Sequence, residues 1–258
     1  MKTVIYGESD PDICLVQMVD DHDMDSLSDE YNLIKAGCEA LLQQEKNGAG
    51  MQQEKNNACI QHDKNNAGIL HDGERGTARK AHKPLLVGVH VDDWFDDLSP
   101  WNAPPVFGDN AFGNGAARTL KLLTEQILPD IRHDFFSTQD VPLIVGGYSL
   151  AGLWALWASY QTDIFSGCVA ASPSVWFPGW IDYVSAHQIL TDRVYLSLGR
   201  QEPKTRNPLM RTVGECIEKQ AALLDVDHIL EWNEGNHFKE PDVRTARGFV
   251  WMVERLFN

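Results

Sequence analysis

Two hydrophobic periods alternate along the chain. Short, nearly uninterrupted apolar runs at residues 13–19, 85–91 and 143–145 read as strands buried on both faces. Further strands are predicted at 167–171, 193–198 and 228–232. Between them apolar residues recur at helical spacing. Leu27, Tyr31, Ile34, Cys38 and Leu41 mark one amphipathic helix, opened by Ser26 and Asp29 as a capping pair. Ala116, Leu120, Leu123 and Ile127 mark a second, expected to end near Pro129, and two more are predicted near 207–224 and 242–257. Strands alternating with helices predict an α/β fold with a mostly parallel central sheet and helices on both faces.

Two stretches depart from this rhythm. Residues 141–162 carry no formal charge, long enough to raise a membrane span, but Pro142, Gly146, Gly147 and Gly152 punctuate them. Strand, turn and helix is the better reading. Residues 43–69 hold three similar nine-residue units, QQEKNGAGM, QQEKNNACI and QHDKNNAGI. Such polar units have little to bury, so 43–80 is expected to be a mobile insertion, or a frayed helical extension, within a single domain spanning 1–258.

With 258 residues and 43% apolar content, the chain is expected to form one sizeable core. A net charge of −15 repels polyanions, which argues against nucleic acid and anionic membranes as partners. Five cysteines without a Cys-x-x-Cys pair indicate neither a disulfide framework nor a zinc ribbon, and no secretory signal is read at the start. A cytoplasmic location is expected.

The chemistry-bearing segment is Gly147-Tyr148-Ser149-Leu150-Ala151-Gly152, a G-x-S-x-A nucleophile elbow set between a predicted strand and helix. A serine hydroxyl needs a base within reach and a carboxylate to orient that base. In this fold class the chain order is serine, acid, histidine. Glu202 follows the 193–198 strand and His237 follows the 228–232 strand, so both fall just past strand ends. Asp192, Asp225 and Asp227 precede their strands and are expected at the opposite edge. Acyl transfer also needs oxyanion donors, expected from the Leu150 amide and from Asp21 or His22 in the loop after the first strand. No cofactor or metal is called for. Asp21, Asp23 and Asp25 alternate like a calcium loop but lack its glycine and its final glutamate. Trp94, Trp101, Trp176 and Trp180 fall in predicted loops, placed either to wall a substrate pocket or to pack where loops meet helices. The acidic clusters 20–25 and 92–97 each follow a strand on the serine's edge and predict either an acidic mouth or, alternatively, a helix cap for the first and a solvated loop for the second.

These motifs, with Asp97-Leu98-Ser99-Pro100-Trp101, Ser172-Pro173-Ser174-Val175-Trp176 and Gly235-Asn236-His237-Phe238, resemble the putative-esterase family of α/β-hydrolases. That family includes S-formylglutathione hydrolases, enterochelin-type siderophore esterases, feruloyl esterases and mycolyltransferases. The resemblance implies an α/β-hydrolase fold, Ser149 as nucleophile, His237 as base, Glu202 at the acid's position, and a small-molecule ester as substrate. Ala151 stands where relatives often have glycine. The loop 92–97 lacks the arginine that relatives often carry, which argues against a catecholate siderophore. A thioesterase or acyltransferase would use the same residues. The rival class is a non-catalytic module that binds a partner through the repeat arm.

Overall fold

Seven strands hydrogen-bond into one sheet in the order β1-β3-β2-β4-β5-β6-β7. They are β1 Lys2–Tyr6, β2 Ile13–Val19, β3 Pro84–His90, β4 Leu143–Tyr148, β5 Gly167–Ala171, β6 Arg193–Gly199 and β7 Asp227–Asn233. The computed structural model describes residues 1–60, 81–106, 108–137 and 141–257. All neighbouring strands run parallel except β1, which pairs antiparallel with β3 from Lys2↔His90 to Tyr6↔Leu86. The sequence reading omitted β1, whose Thr3-Val4-Ile5-Tyr6 carries the β-branched and aromatic residues of an edge strand.

Strand pleating divides the core into two. Along β2 Ile13 and Leu15 face one layer, and Cys14, Val16 and Met18 face the other. The first layer is covered by the long helix α1 (Asp21–Ile60) and the last helix α8 (Pro241–Phe257). These two cross closely at Gly37, where a Cβ would lie 2.3 Å from Val250 Cγ2. The second layer holds α3 (Ala116–Leu122), α4 (Leu128–Phe135), α5 (Ser149–Gln161), α6 (Trp180–Ala186) and α7 (Val213–Ala222), with the single turn α2 (Trp94–Asp97) near the sheet's edge.

Three expectations change. First, α1 starts at Asp21 rather than near Ser26, because Asp20 Oδ1 accepts the N–H groups of His22 and Asp23, each at 2.8 Å, and so caps it. It runs on to Ile60 through the first two repeats; the third repeat, and the rest of the insertion to residue 80, lies outside the described residues. Second, the helix expected to stop near Pro129 continues to Phe135. A π turn, Leu123–Ile127, joins α3 to α4 through Leu128 N–H to Leu123 O, and Pro129 then sits in the first turn of α4, where a missing N–H costs little. Third, Trp180 begins helix α6 and is fully buried, rather than lying in a loop. The uncharged stretch 141–162 resolves into β4 and α5, and among the described residues no helix is long and apolar enough to cross a membrane.

Candidate active site

Parallel pairing sets the site before any side chain does. The ends of β4 and β5 lie abreast at Tyr148↔Ala171, and those of β6 and β7 at Gly199↔Asn233. Whatever follows these four strands therefore collects on one edge of the sheet. Ser149 follows β4, Ser172 follows β5, Glu202 follows β6 and His237 follows β7.

Ser149 takes φ of 57°, a left-handed conformation that L-residues seldom adopt. The turn folds tightly enough that a Cβ on Gly147 would lie 2.8 Å from both the carbonyl carbon and the Cβ of Ala151. Glycine at 147 is thus required, and alanine at 151 is accommodated.

Ser149 Oγ lies 3.0 Å from His237 Nε2, and His237 Nδ1 lies 2.8 Å from Glu202 Oε2. The other Glu202 oxygen accepts from Gly199 N–H at 2.7 Å, Ser172 Oγ at 2.8 Å and Arg244 Nη1 at 3.2 Å. A carboxylate only accepts, so Nδ1 carries the imidazole proton and Nε2 is left to accept from the serine hydroxyl. Glu202 is buried, whereas His237 is partly open to the cavity beside it. Asp225 instead accepts from Gln188 at 3.2 Å, and Asp227 pairs with Arg255 at 3.9 Å; one precedes β7 and the other opens it, at the end opposite to His237.

The cavity has a volume of about 640 Å³ and reaches Ser149, His237 and Glu202. Trp94, Phe95, Phe112, Trp176, Met210 and Val213 give it an apolar lining, and Phe238, 84% exposed, stands at its rim. Ser174 also lines it, with Oγ 3.5 Å from Ser149 Oγ. Lys204 is the only lysine or arginine among the described lining residues.

Of the four candidate tryptophans, Trp94 and Trp176 line the cavity; Trp101 and Trp180 do not. Trp101 donates to Pro178 O at 2.9 Å and stacks on Trp180, which donates to Gln220 Oε1 at 2.9 Å. Both are packing residues between the loop after α2 and helices α6 and α7. Leu150, at the start of α5, lines the cavity with its backbone amide in the unpaired first turn. Asp21 and His22 do not line it: the His22 amide is taken by Asp20, and the Asp21 carboxylate lies 2.9 Å from His90 Nε2.

The acidic mouth is likewise corrected. Asp20 and Asp93 cap helices, while Asp96 and Asp97 pair with Arg118 at 2.8 and 2.7 Å. None of the clustered aspartates lines the cavity.

Sequence reasoning missed Arg244 and Tyr148. Arg244 is buried on α8, and Tyr148 OH donates to His237 O at 2.6 Å. Burial pushes the Tyr148 hydroxyl up to about 12, so it remains a donor. Its place inside the elbow motif was the available signal; for Arg244 there was none, since an arginine on an amphipathic helix ordinarily marks the wet face.

A parallel sheet flanked by helices, with a strained serine between strand and helix and a histidine after the last strand, defines an α/β-hydrolase fold. The chain belongs to the family described as "Putative esterase", whose sequence model matches residues 66–229, more than half of the chain, and the protein is an esterase. That match takes in Ser149 and Glu202 and ends before His237. No curated protein sequence matches the chain. Among solved structures, an IroE-like serine hydrolase from Shewanella oneidensis superposes with a TM-score of 0.64 at 14% identity, covering 98% of this chain and 75% of that one. The siderophore hydrolase EstA from Aspergillus nidulans does so with a TM-score of 0.59 at 14% identity, covering 99% and 95%. The enterobactin esterase FES from Shigella flexneri gives 0.51 at 16% identity, over 68% of this chain and 45% of that one. At these identities the likeness is one of fold.

Proposed function

We propose that the protein hydrolyses a small-molecule carboxylic ester through an acyl-enzyme intermediate on Ser149. The observation that carries this reading is the unbroken hydrogen-bond line from Glu202 through His237 to Ser149, ending at the wall of an apolar cavity. Ser149 Oγ attacks the ester carbonyl while His237 Nε2 takes its proton. The carbonyl oxygen becomes an oxyanion facing the Leu150 amide at the N-terminus of α5. Collapse of this adduct breaks the ester C–O bond, and His237 returns the proton to the departing alcohol. A water molecule then attacks the acyl-serine with His237 again as base, releasing the acid and restoring the serine. Glu202 holds the imidazole in the required tautomer and stabilises the imidazolium that forms in both halves.

The apolar and aromatic lining supports an apolar or aromatic acyl group. The siderophore chemistry named for two of the structural relatives gains no specific support, since the segment 92–97 after β3, which contributes Trp94 and Phe95 of α2 to the cavity, contains no arginine.

The test is a screen of p-nitrophenyl acyl esters of increasing chain length beside labelling with a fluorophosphonate. Ser149→Ala is expected to lose both turnover and label while melting close to the wild type. A label mapped by mass spectrometry to another serine, or full turnover in this variant, would remove the proposed nucleophile.

A further inference from the structure

Arg244 is 2% exposed and does not line the cavity, yet the hydrogen-bond partners of its guanidinium all belong to the site's supporting frame. Its Nη1 reaches Glu202 Oε1 at 3.2 Å, Ser172 Oγ at 3.1 Å and Tyr148 OH at 3.1 Å. Its Nη2 donates to Glu234 O and Asn236 O, both at 3.0 Å. One guanidinium thus joins the segment bearing the acid, the segment bearing the base and the residue before the nucleophile. Gly199 leaves the room for it: a Cβ there would lie 2.6 Å from Gly235 O, 2.9 Å from Glu202 Oε1 and 3.1 Å from Arg244 Nη1.

The loop that presents His237 is held at five successive carbonyls. Arg200 N–H binds Asn233 O at 2.8 Å, Gln201 N–H binds Gly235 O at 3.0 Å and Tyr148 OH binds His237 O at 2.6 Å. Arg244 supplies donors to the remaining two, Glu234 and Asn236. The same group gives the buried Glu202 carboxylate its countercharge.

We propose that Arg244 is a positioning residue of the ester-hydrolysing site, holding the Glu202 carboxylate toward His237 while its planar fork fixes the Glu234–His237 loop. The proposal rests on the reading of Ser149, Glu202 and His237 given above. A fold-only role is a poor account of the same contacts, because a buried ion pair is weak evidence for stability and a well-packed apolar replacement is often neutral. Without Arg244 the Glu202 Oε1 loses one of its donors, and the Glu234 and Asn236 carbonyls lose theirs. The acid and the loop that carries the base are then free to shift apart, and the 2.8 Å contact from Glu202 to His237 Nδ1 that orients the imidazole toward Ser149 is weakened.

The experiment measures kcat, KM and melting temperature for Arg244→Met, Arg244→Lys, Glu202→Gln and the Glu202→Gln/Arg244→Met double variant on one p-nitrophenyl ester. Arg244→Met is expected to lower kcat by roughly a hundredfold with KM within about threefold of the wild type. The double variant is expected to be no slower than Glu202→Gln alone, within about threefold, because both changes disable the same group. Millimolar guanidinium should restore part of the activity of Arg244→Met and none of the double variant's. Should Arg244→Met fail to fold, Arg244→Lys carries the test: a point charge cannot serve the carboxylate and both carbonyls, so kcat should fall at least about tenfold with KM unchanged. A kcat within threefold of the wild type in either variant, or multiplying costs in the double variant without rescue, would overturn the proposal. Full turnover in Glu202→Gln or Ser149→Ala would instead remove the reading beneath it.

Discussion

Ser149 is held at φ 57° by its neighbours, and the sequence carried that fact because the constraint is local. A serine flanked two positions away by glycine and alanine, between an apolar strand and an apolar helix, leaves few other readings. His237 and Glu202 were legible for a topological reason: in a parallel sheet, residues just after strands share an edge whatever their side chains do. Arg244 was not legible, since its helix shows an ordinary amphipathic pattern and the fate of one arginine on it depends on partners 42 and 72 residues away in sequence. Trp101 and Trp180 were misplaced because aromatic residues in unassigned segments serve a pocket wall and a core contact equally well. At this scale Gly147→Val is expected to destabilise the fold by about 1–3 kcal/mol, since its Cβ would meet the Ala151 backbone at 2.8 Å. Urea unfolding would measure it, and a midpoint unchanged from the wild type would show that the elbow relaxes at little cost.

Among the elements, the long buried strands and the amphipathic faces of α1 and α8 were read from periodicity, whereas β1, α6 and the π turn were not. Five residues at an edge, seven residues of helix and one widened turn each carry too few positions for a period to stand out. A polar contact between α1 and β2 was equally invisible. Glu30 on α1 is buried against Gln17 on β2, which donates to its Oε2 at 3.1 Å, while Oε1 has no partner among the described residues. Burial, with Asp23 and Asp242 adding repulsion and the Gln17 bond opposing, pushes the Glu30 carboxyl from 4.5 up to about 8. The folded protein therefore keeps a proton that the unfolded chain has released. The stability this represents is complete below pH 4.5 and is lost as pH rises through about 8. Glu30→Gln removes that titration, so its melting temperature should exceed the wild type's at pH 9, with the gap closing toward pH 5. Asp23, raised to about 6 mainly by burial, titrates in both proteins below the range in which Glu30 releases its proton, so the separation expected between pH 7 and 9 reports on Glu30. Thermal melts across pH 5 to 9 that stay parallel for the two proteins would contradict this account.

At the scale of the whole molecule, the net charge of −15 and the two aspartate clusters suggested a mouth that repels anions. Counting charges could not show where they are spent. Asp20 and Asp93 cap helices, Asp96 and Asp97 pair with Arg118 and Asp21 lies against His90, and among the described residues that line the cavity the Lys204 charge is left unpaired. Glu202, the only acid among the described lining residues, is answered by Arg244 and His237, whereas Lys204 forms no ion pair among the described residues. Two fields therefore compete over an incoming substrate: a diffuse negative one, screened beyond about 10 Å at 0.1 M salt, and a local positive one at the cavity wall. Within the cavity the nearer charge dominates. For matched esters with a neutral or a carboxylate-bearing leaving arm, the carboxylate should be favoured in kcat/KM by roughly 3- to 10-fold at low ionic strength, a preference that salt diminishes. Lys204→Glu should reverse the order while leaving the neutral ester within about twofold of the wild type, because a neutral arm carries no charge for residue 204 to attract or repel. If the carboxylate ester is the slower one on the wild-type enzyme, and salt narrows the difference, the molecule's overall charge governs entry and Lys204 does not set specificity.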